Sequence, residues 1–141
     1  MVLDADGLDA LAEARPPELL RALLGEAYQR ARDVLVPAVV CAEVCRGAPR
    51  TRAVESTLAR HAPTTGQRPP VAVIPTDFPL ARQVGAILFA SGAGTEALVD
   101  AHVVAVCVHH GGGLVITADP HDIARLAQAT PSIRIITRPA R

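Results

Sequence analysis

Four carboxylates in this chain stand where an acid is costly to keep. Met1-Val2-Leu3 leads into Asp4, Val39-Val40-Cys41-Ala42 into Glu43, Ala97-Leu98-Val99 into Asp100, and Leu114-Val115-Ile116-Thr117-Ala118 into Asp119. An ionised carboxylate in apolar surroundings either shifts its pKa or finds a cation. If the fold gathers all four, each raises the pKa of the others, and the group destabilises the fold unless a cation neutralises it. An all-oxygen donor set selects a hard ion, so Mg2+ or Mn2+ is favoured over zinc. Such an ion activates water and stabilises charge on a leaving oxygen, and the chemistry implied is hydrolysis of a phosphodiester.

Each acid also has an ordinary use. Asp4 could end a strand or cap the next helix. Asp119, before Pro120 and with Asp122 three residues on, has the form of a helix N-cap with an acid in the first turn, and it can cap and bind metal at once. For Glu43 and Asp100 the alternative is a buried acid paired to arginine. Around the four, Asp6, Glu96, Thr117 and Asp122 are candidates for an outer shell. Thr117 points the same way as Asp119 if both lie on a strand, where it could hold a water or a phosphate oxygen. His109 and His110 read as surface imidazoles at a helix end rather than ligands. Cys41 and Cys45 lack a second pair to complete a zinc site, and with Cys107 they read as small buried residues in a reducing compartment.

Short apolar runs alternate with longer ones, which predicts a parallel α/β sheet. Strands are expected over residues 1–3, 34–36, 71–74, 114–117 and 133–137. Helices are expected over 8–14, 17–31, from Pro37 to near Gly47, and over 52–61, 79–90, 96–110 and 120–129. Thr95 is placed to cap the sixth of these, a loop fills 63–70, and Gly111-Gly112-Gly113 makes a turn. In parallel sheets, ligands bind beyond the carboxyl ends of the strands, and Asp4 and Asp119 both fall at such ends.

With 141 residues and 50% hydrophobic content the chain fits one domain. Fourteen basic residues balance fourteen acids, so bulk charge draws it to neither nucleic acid nor membrane. The balance is uneven along the chain, because Arg46, Arg50, Arg52, Arg60 and Arg68 cluster against only Glu55. Every cation is arginine, which removes mechanisms that need a lysine. Aromatic residues are 2% of the chain, so base stacking cannot dominate binding to a nucleic acid, and arginine contacts to phosphate must carry more of it. Arg46 is the best placed for that, ahead of Arg50 and Arg52. Neither a secretory signal nor a membrane span is evident, which makes the cytoplasm the default address.

The order Val2-Leu3-Asp4, Ala42-Glu43-Val44-Cys45-Arg46-Gly47, Leu98-Val99-Asp100-Ala101-His102-Val103-Val104-Ala105 and Val115-Ile116-Thr117-Ala118-Asp119-Pro120-His121-Asp122-Ile123 resembles a PIN domain, especially the VapC-type toxin ribonucleases of toxin–antitoxin pairs. The resemblance covers nearly the whole chain and implies a single PIN domain over residues 1–141. It also implies a three-layer α/β/α sandwich around a mainly parallel sheet of about five strands. It further implies that Asp4, Glu43, Asp100 and Asp119 coordinate Mg2+ or Mn2+, that RNA is cleaved, that the protein is a homodimer, and that a cognate antitoxin covers the acidic cleft. The chain departs from the family pattern at Asp6, where Ser, Thr or Asn is usual.

Two other readings remain open at this level. Val2-Leu3-Asp4-Ala5-Asp6-Gly7 resembles the nucleophile motif of haloacid-dehalogenase-like phosphatases, although the phosphate-binding lysine of that family cannot exist here. A non-catalytic α/β interaction module is the second. The apolar side of the helix over residues 19–24 is a candidate dimer surface.

Overall fold

The computed structural model describes residues 1–62 and 70–141. The loop expected over 63–70, and Arg68 with it, therefore falls outside the described residues except for Pro70.

Five parallel strands form one sheet: β1 (Val2–Leu3), β2 (Val34–Pro37), β3 (Val71–Ile74), β4 (Gly113–Ile116) and β5 (Ile135–Arg138). Their spatial order is β3-β2-β1-β4-β5. Between them run α1 (Ala5–Ala12), α2 (Glu18–Gln29), α3 (Ala38–Val44), α4 (Ala48–Arg60), α5 (Phe78–Ser91), α6 (Leu98–His109) and α7 (Pro120–Ala127). One group of helices, α1, α3 and α4, packs together, and so does a second group, α5, α6 and α7. The result is a PIN-like α/β/α sandwich.

The strand order reverses between β1 and β4, since the chain builds β2 and β3 to one side of β1 and β4 and β5 to the other. Crossovers leave in opposite directions at that point and open a crevice at the carboxyl ends of the two strands. Asp4 follows β1 and Thr117 follows β4, so both stand at its mouth.

Helix α6 supplies the centre of the core. Residues 101–107 are all buried, and the helix touches β1, β2 and β4. A helix apolar all round is stable only inside a protein, and Asp100 in its first turn is the one acid it carries. His102, also buried, donates from Nδ1 to the Leu98 carbonyl at 2.8 Å, which satisfies it inside its own helix. The chain leaves α6 through Gly111 and Gly112, whose φ angles of 75° and 116° favour glycine. A Cβ on Gly112 would lie 2.7 Å from the Arg134 carbonyl, so this turn is also where β4 is brought against β5.

Several expected boundaries move. Helix α1 begins at Ala5 rather than residue 8 because Asp4 caps it directly, and α4 begins at Ala48 because Pro49 is tolerated in a first turn. Thr95 does not cap α6. It lies in a 3-10 turn (Thr95–Ala97), and α6 starts after it with no side-chain cap. Over residues 19–24, the candidate dimer surface, Leu20 and Leu24 face the protein's own core, whereas Leu19, Arg21 and Ala22 are exposed and Leu23 is half-buried. A cavity of about 790 Å3 lies nearby, lined by residues of α1, α2 and α4 including Leu11, Leu24, Tyr28 and Ala53, and none of the four acids borders it.

Candidate functional site

Asp4 sits at the end of β1 and is 5% exposed. Its Oδ1 accepts from the Gly7 amide at 2.8 Å and so caps α1. That approach requires a glycine at position 7, because a Cβ there would lie 2.8 Å from the Ile116 carbonyl and 3.2 Å from the Ile116 Cβ. The first turn of α1 is thereby pressed onto the end of β4. Burial pushes the Asp4 carboxyl up from 3.8 to about 6. Hydrogen bonds from Thr117 and Gly7 hold it back, whereas the charges of Asp6 and Asp100 push it further up.

Thr117 ties two of the acids together. It is buried, its side chain bonds Asp4, and its Oγ1 accepts from the Asp119 amide at 2.9 Å. Its own amide donates to the Arg138 carbonyl, which holds the turn to β5. Asp119, exposed, caps α7 by accepting from the Asp122 amide at 3.2 Å.

Glu43 comes in the last turn of α3 and is half-buried. Asp100 comes in the first turn of α6 and is also half-buried. The Asp100 pKa is raised, first by burial and then by the charges of Asp122, Glu43 and Asp119, with Arg125 acting the other way. Acids from α3 and α7 thus lie near enough to Asp100 to raise its pKa, and Asp100 in turn raises that of Asp4 at the end of β1. Neither Glu43 nor Asp100 is paired to an arginine among the described residues. Among the described residues none of the four acids makes an ion pair.

Around this group, Asp6 is exposed in the first turn of α1 and Asp122 is half-buried in the first turn of α7. Glu96 is exposed and folds back onto its own amide and the Gly94 amide, the latter at 2.9 Å, and these bonds lower its pKa and use it within its own turn. Arg46, exposed, donates from Nε to the Glu43 carbonyl at 2.8 Å, so its guanidinium is anchored beside that acid. Arg125 was not singled out by sequence. Its neighbours in the fold, Asp100 and Glu96, lie 25 or more residues away along the chain, and no local pattern points to it.

The donor set is all oxygen, half or more buried at Asp4, Glu43 and Asp100, and mutually repelling, which suits a hard dication in chemistry. Its spacing is looser than a finished site. Among the described residues no group of three or more His, Cys, Asp or Glu side chains is set to hold a metal ion. Asp4 and Asp119 each commit one oxygen to a helix cap, and Asp4 is also bonded by Thr117.

The family model described as "PIN domain" matches residues 2–129. The chain belongs to the PIN domain family. The family is a class of nucleases. Three solved structures share the PIN fold at low sequence identity. FitAB bound to an IR36 DNA fragment is 18% identical with a TM-score of 0.62, covering 99% of this chain and 94% of that one. FitAcB from Neisseria gonorrhoeae is 18% identical with a TM-score of 0.61, over 96% and 95% of the two chains. VapBC2 from Rickettsia felis, bound to a DNA fragment from its promoter, is 14% identical with a TM-score of 0.63, over 97% of each. Comparison with curated protein sequences finds no relative. The PIN assignment also disposes of the phosphatase motif. Asp6, which would have to serve as acid/base beside Asp4, is an exposed first-turn residue of α1.

Proposed function

We propose that this PIN domain is a Mg2+- or Mn2+-dependent endoribonuclease, a VapC-type toxin neutralised by a cognate antitoxin, with Asp4, Glu43, Asp100 and Asp119 as its catalytic, metal-holding residues. What supports the proposal is the PIN family match together with the like charges of Asp122, Glu43 and Asp119 that bear on half-buried Asp100, and that of Asp100 on buried Asp4. A fold does not keep like charges together without partners unless a cation joins them. Bound there, the dication supplies activated water and offsets charge at the phosphate.

The chain's own residues do the rest. Thr117 fixes the Asp4 carboxylate and the Asp119 backbone relative to each other, so the two loops of the crevice move as one. Asp6 and Asp122 sit around the four as outer-shell acids, and Glu96 keeps its place through Gly94. Arg46, held at the end of α3, binds a phosphate of the RNA strand next to the site. With so few aromatic residues the strand is held by its backbone, not by stacked bases.

The solved relatives are described as FitAB and VapBC2 assemblies, each bound to DNA, and a protein partner for this chain follows by analogy. We assign self-association to α5, where Phe78 and Phe89 are 80% and 90% exposed and stand three turns apart on one face. No helix among the described residues is long and apolar enough to cross a membrane, in keeping with action on RNA in the cytoplasm. Cleavage of a pool of oligoribonucleotides with Mn2+ and with EDTA, by the wild type and by Asp100→Asn, tests the activity. Cutting that depends on both Mn2+ and Asp100 is expected, and metal-independent cutting, or none, rejects it.

A further inference from the structure

Strand β5 closes the sheet at the end away from β3, and among the described residues no strand pairs with its outer edge. The Gly113 amide donates to the Arg134 carbonyl and the Thr117 amide to the Arg138 carbonyl, so the backbone groups of residues 134, 136 and 138 are turned to β4. Along a paired strand these directions alternate, which leaves the amides and carbonyls of Ile135 and Thr137 turned outward. Of these four groups only the Thr137 carbonyl has a partner among the described residues, the Arg138 guanidinium, which donates to it from Nη1 at 3.0 Å. Side chains alternate as well. Ile135 and Thr137 are half-buried, whereas Arg134, Ile136 and Arg138 share the other face and are exposed, Ile136 to 37%. Neither arginine makes an ion pair among the described residues.

We propose that the β5 edge is the docking site for an extended acidic segment of a partner protein, which joins the sheet as a further strand beyond β5. Its backbone pairs with Ile135 and Thr137. On one face it sets an apolar residue against Ile136 and a carboxylate two positions to either side, opposite Arg134 and Arg138. A second copy of this chain does not fit the edge. Two β5 strands paired antiparallel about Ile136 bring Arg134 of each against Arg138 of the other, and like charges directly opposite are destabilising. An RNA strand offers phosphates to the arginines but no ladder of amides and carbonyls to Ile135 and Thr137. The carboxyl end of β5 is bonded to Thr117, so a segment laid along the edge ends beside the acidic crevice. The docking itself does not rest on the nuclease reading.

The test follows the backbone amides of the whole isotope-labelled protein by NMR, in EDTA, while a capped peptide Glu-Thr-Val-Thr-Glu or its counterpart Lys-Thr-Val-Thr-Lys is added to millimolar concentration. The Glu peptide is expected to shift the Ile135 and Thr137 amides and slow their hydrogen exchange, with those of Ile136 and Arg138, already turned to β4, little changed. It should bind about tenfold more tightly than the Lys peptide, since two attractive cross-strand pairs replace two repulsive ones. Reversing both charges, Arg134→Glu with Arg138→Glu, should invert that preference. Equal binding of the two peptides, or shifts that spare Ile135 and Thr137, overturns the proposal. Binding of neither overturns it too, and leaves the arginines as guards against edge-to-edge aggregation. An oligoribonucleotide that moves those two amides at lower concentration than the Glu peptide assigns the edge to nucleic acid instead and rejects a peptide partner. If the reversed variant fails to fold, the wild-type preference and the two amides decide alone. None of these results alters the Mn2+-dependent cleavage assay, which tests the nuclease reading separately.

Discussion

The acids on the α1–α2 side of the molecule and those at the carboxyl end of the sheet are treated in opposite ways. On the first side three have arginine partners, Glu26 with Arg30, Asp9 with Arg50, and Glu13 with Arg141, all solvent-exposed to a substantial degree, while Asp6 and Glu18 lie at helix starts. At the second, Asp4, Glu43, Asp100 and Asp119 make no ion pair among the described residues. The matched acids follow ordinary surface chemistry and contribute little. Of the unmatched ones, Asp4 is buried and Glu43 and Asp100 are half-buried, and a protein leaves such charge uncompensated where a ligand supplies the compensation.

The contrast breaks most visibly in activity. Asp100→Asn should lower Mn2+-dependent RNA cleavage at least about 1000-fold, as expected when charge stabilisation at a reacting phosphate is lost. Glu26→Gln, on the matched side, should leave the same assay within about twofold, because its carboxylate serves only Arg30.

The next largest effect is on stability against pH. Folding raises the Asp4 pKa from 3.8 to about 6, so the folded state holds this proton more tightly than the unfolded chain does. The resulting stability is present in full below pH 3.8 and is lost as pH rises through about 6, a change on the order of 3 kcal/mol. Asp100 is raised as well and acts with the same sign. Urea unfolding of the metal-free protein should therefore show stability falling between pH 4 and 7 on the acid group's account. Asp4→Asn, which can still cap α1, should flatten that fall. A fall of the same size in Asp4→Asn would place its origin elsewhere.

Two glycines sharpen the comparison at the level of packing. Gly7→Ala drives a methyl against the Ile116 carbonyl and should cost about 2 kcal/mol while displacing Asp4. Gly25→Ala, in α2 with nothing within 4 Å of the new methyl, should stabilise by up to about 1 kcal/mol and leave cleavage alone. Smallest of all, Glu26→Gln should shift unfolding by no more than about 0.5 kcal/mol. Urea midpoints measure all three.

Much of this was readable in the chain because the strands are short apolar runs that end in chemistry. Residues 71–74 are β3 as expected, and β1, β2 and β4 come within a residue or so. Asp119 reads as a cap from Pro120 and Asp122, and it is one. The misses are local competitions that spacing does not reveal. The first helix is expected from residue 8, yet it starts at Ala5, and Gly7 is a first-turn residue whose missing Cβ allows the contact with Ile116. Thr95 looks like a cap, but the Glu96 carboxylate takes the Gly94 amide and a 3-10 turn intervenes. The strand order β3-β2-β1-β4-β5 is a tertiary fact with no local signature.

The central claim is that the four acids are kept together for a dication, and titration calorimetry with Mn2+ at pH 7 addresses it most directly. Saturable binding by the wild type, lost in both Asp4→Asn and Asp100→Asn while those variants remain folded, is the predicted result. Binding that survives both substitutions, or a folded wild type that binds no Mn2+ at all, would contradict it.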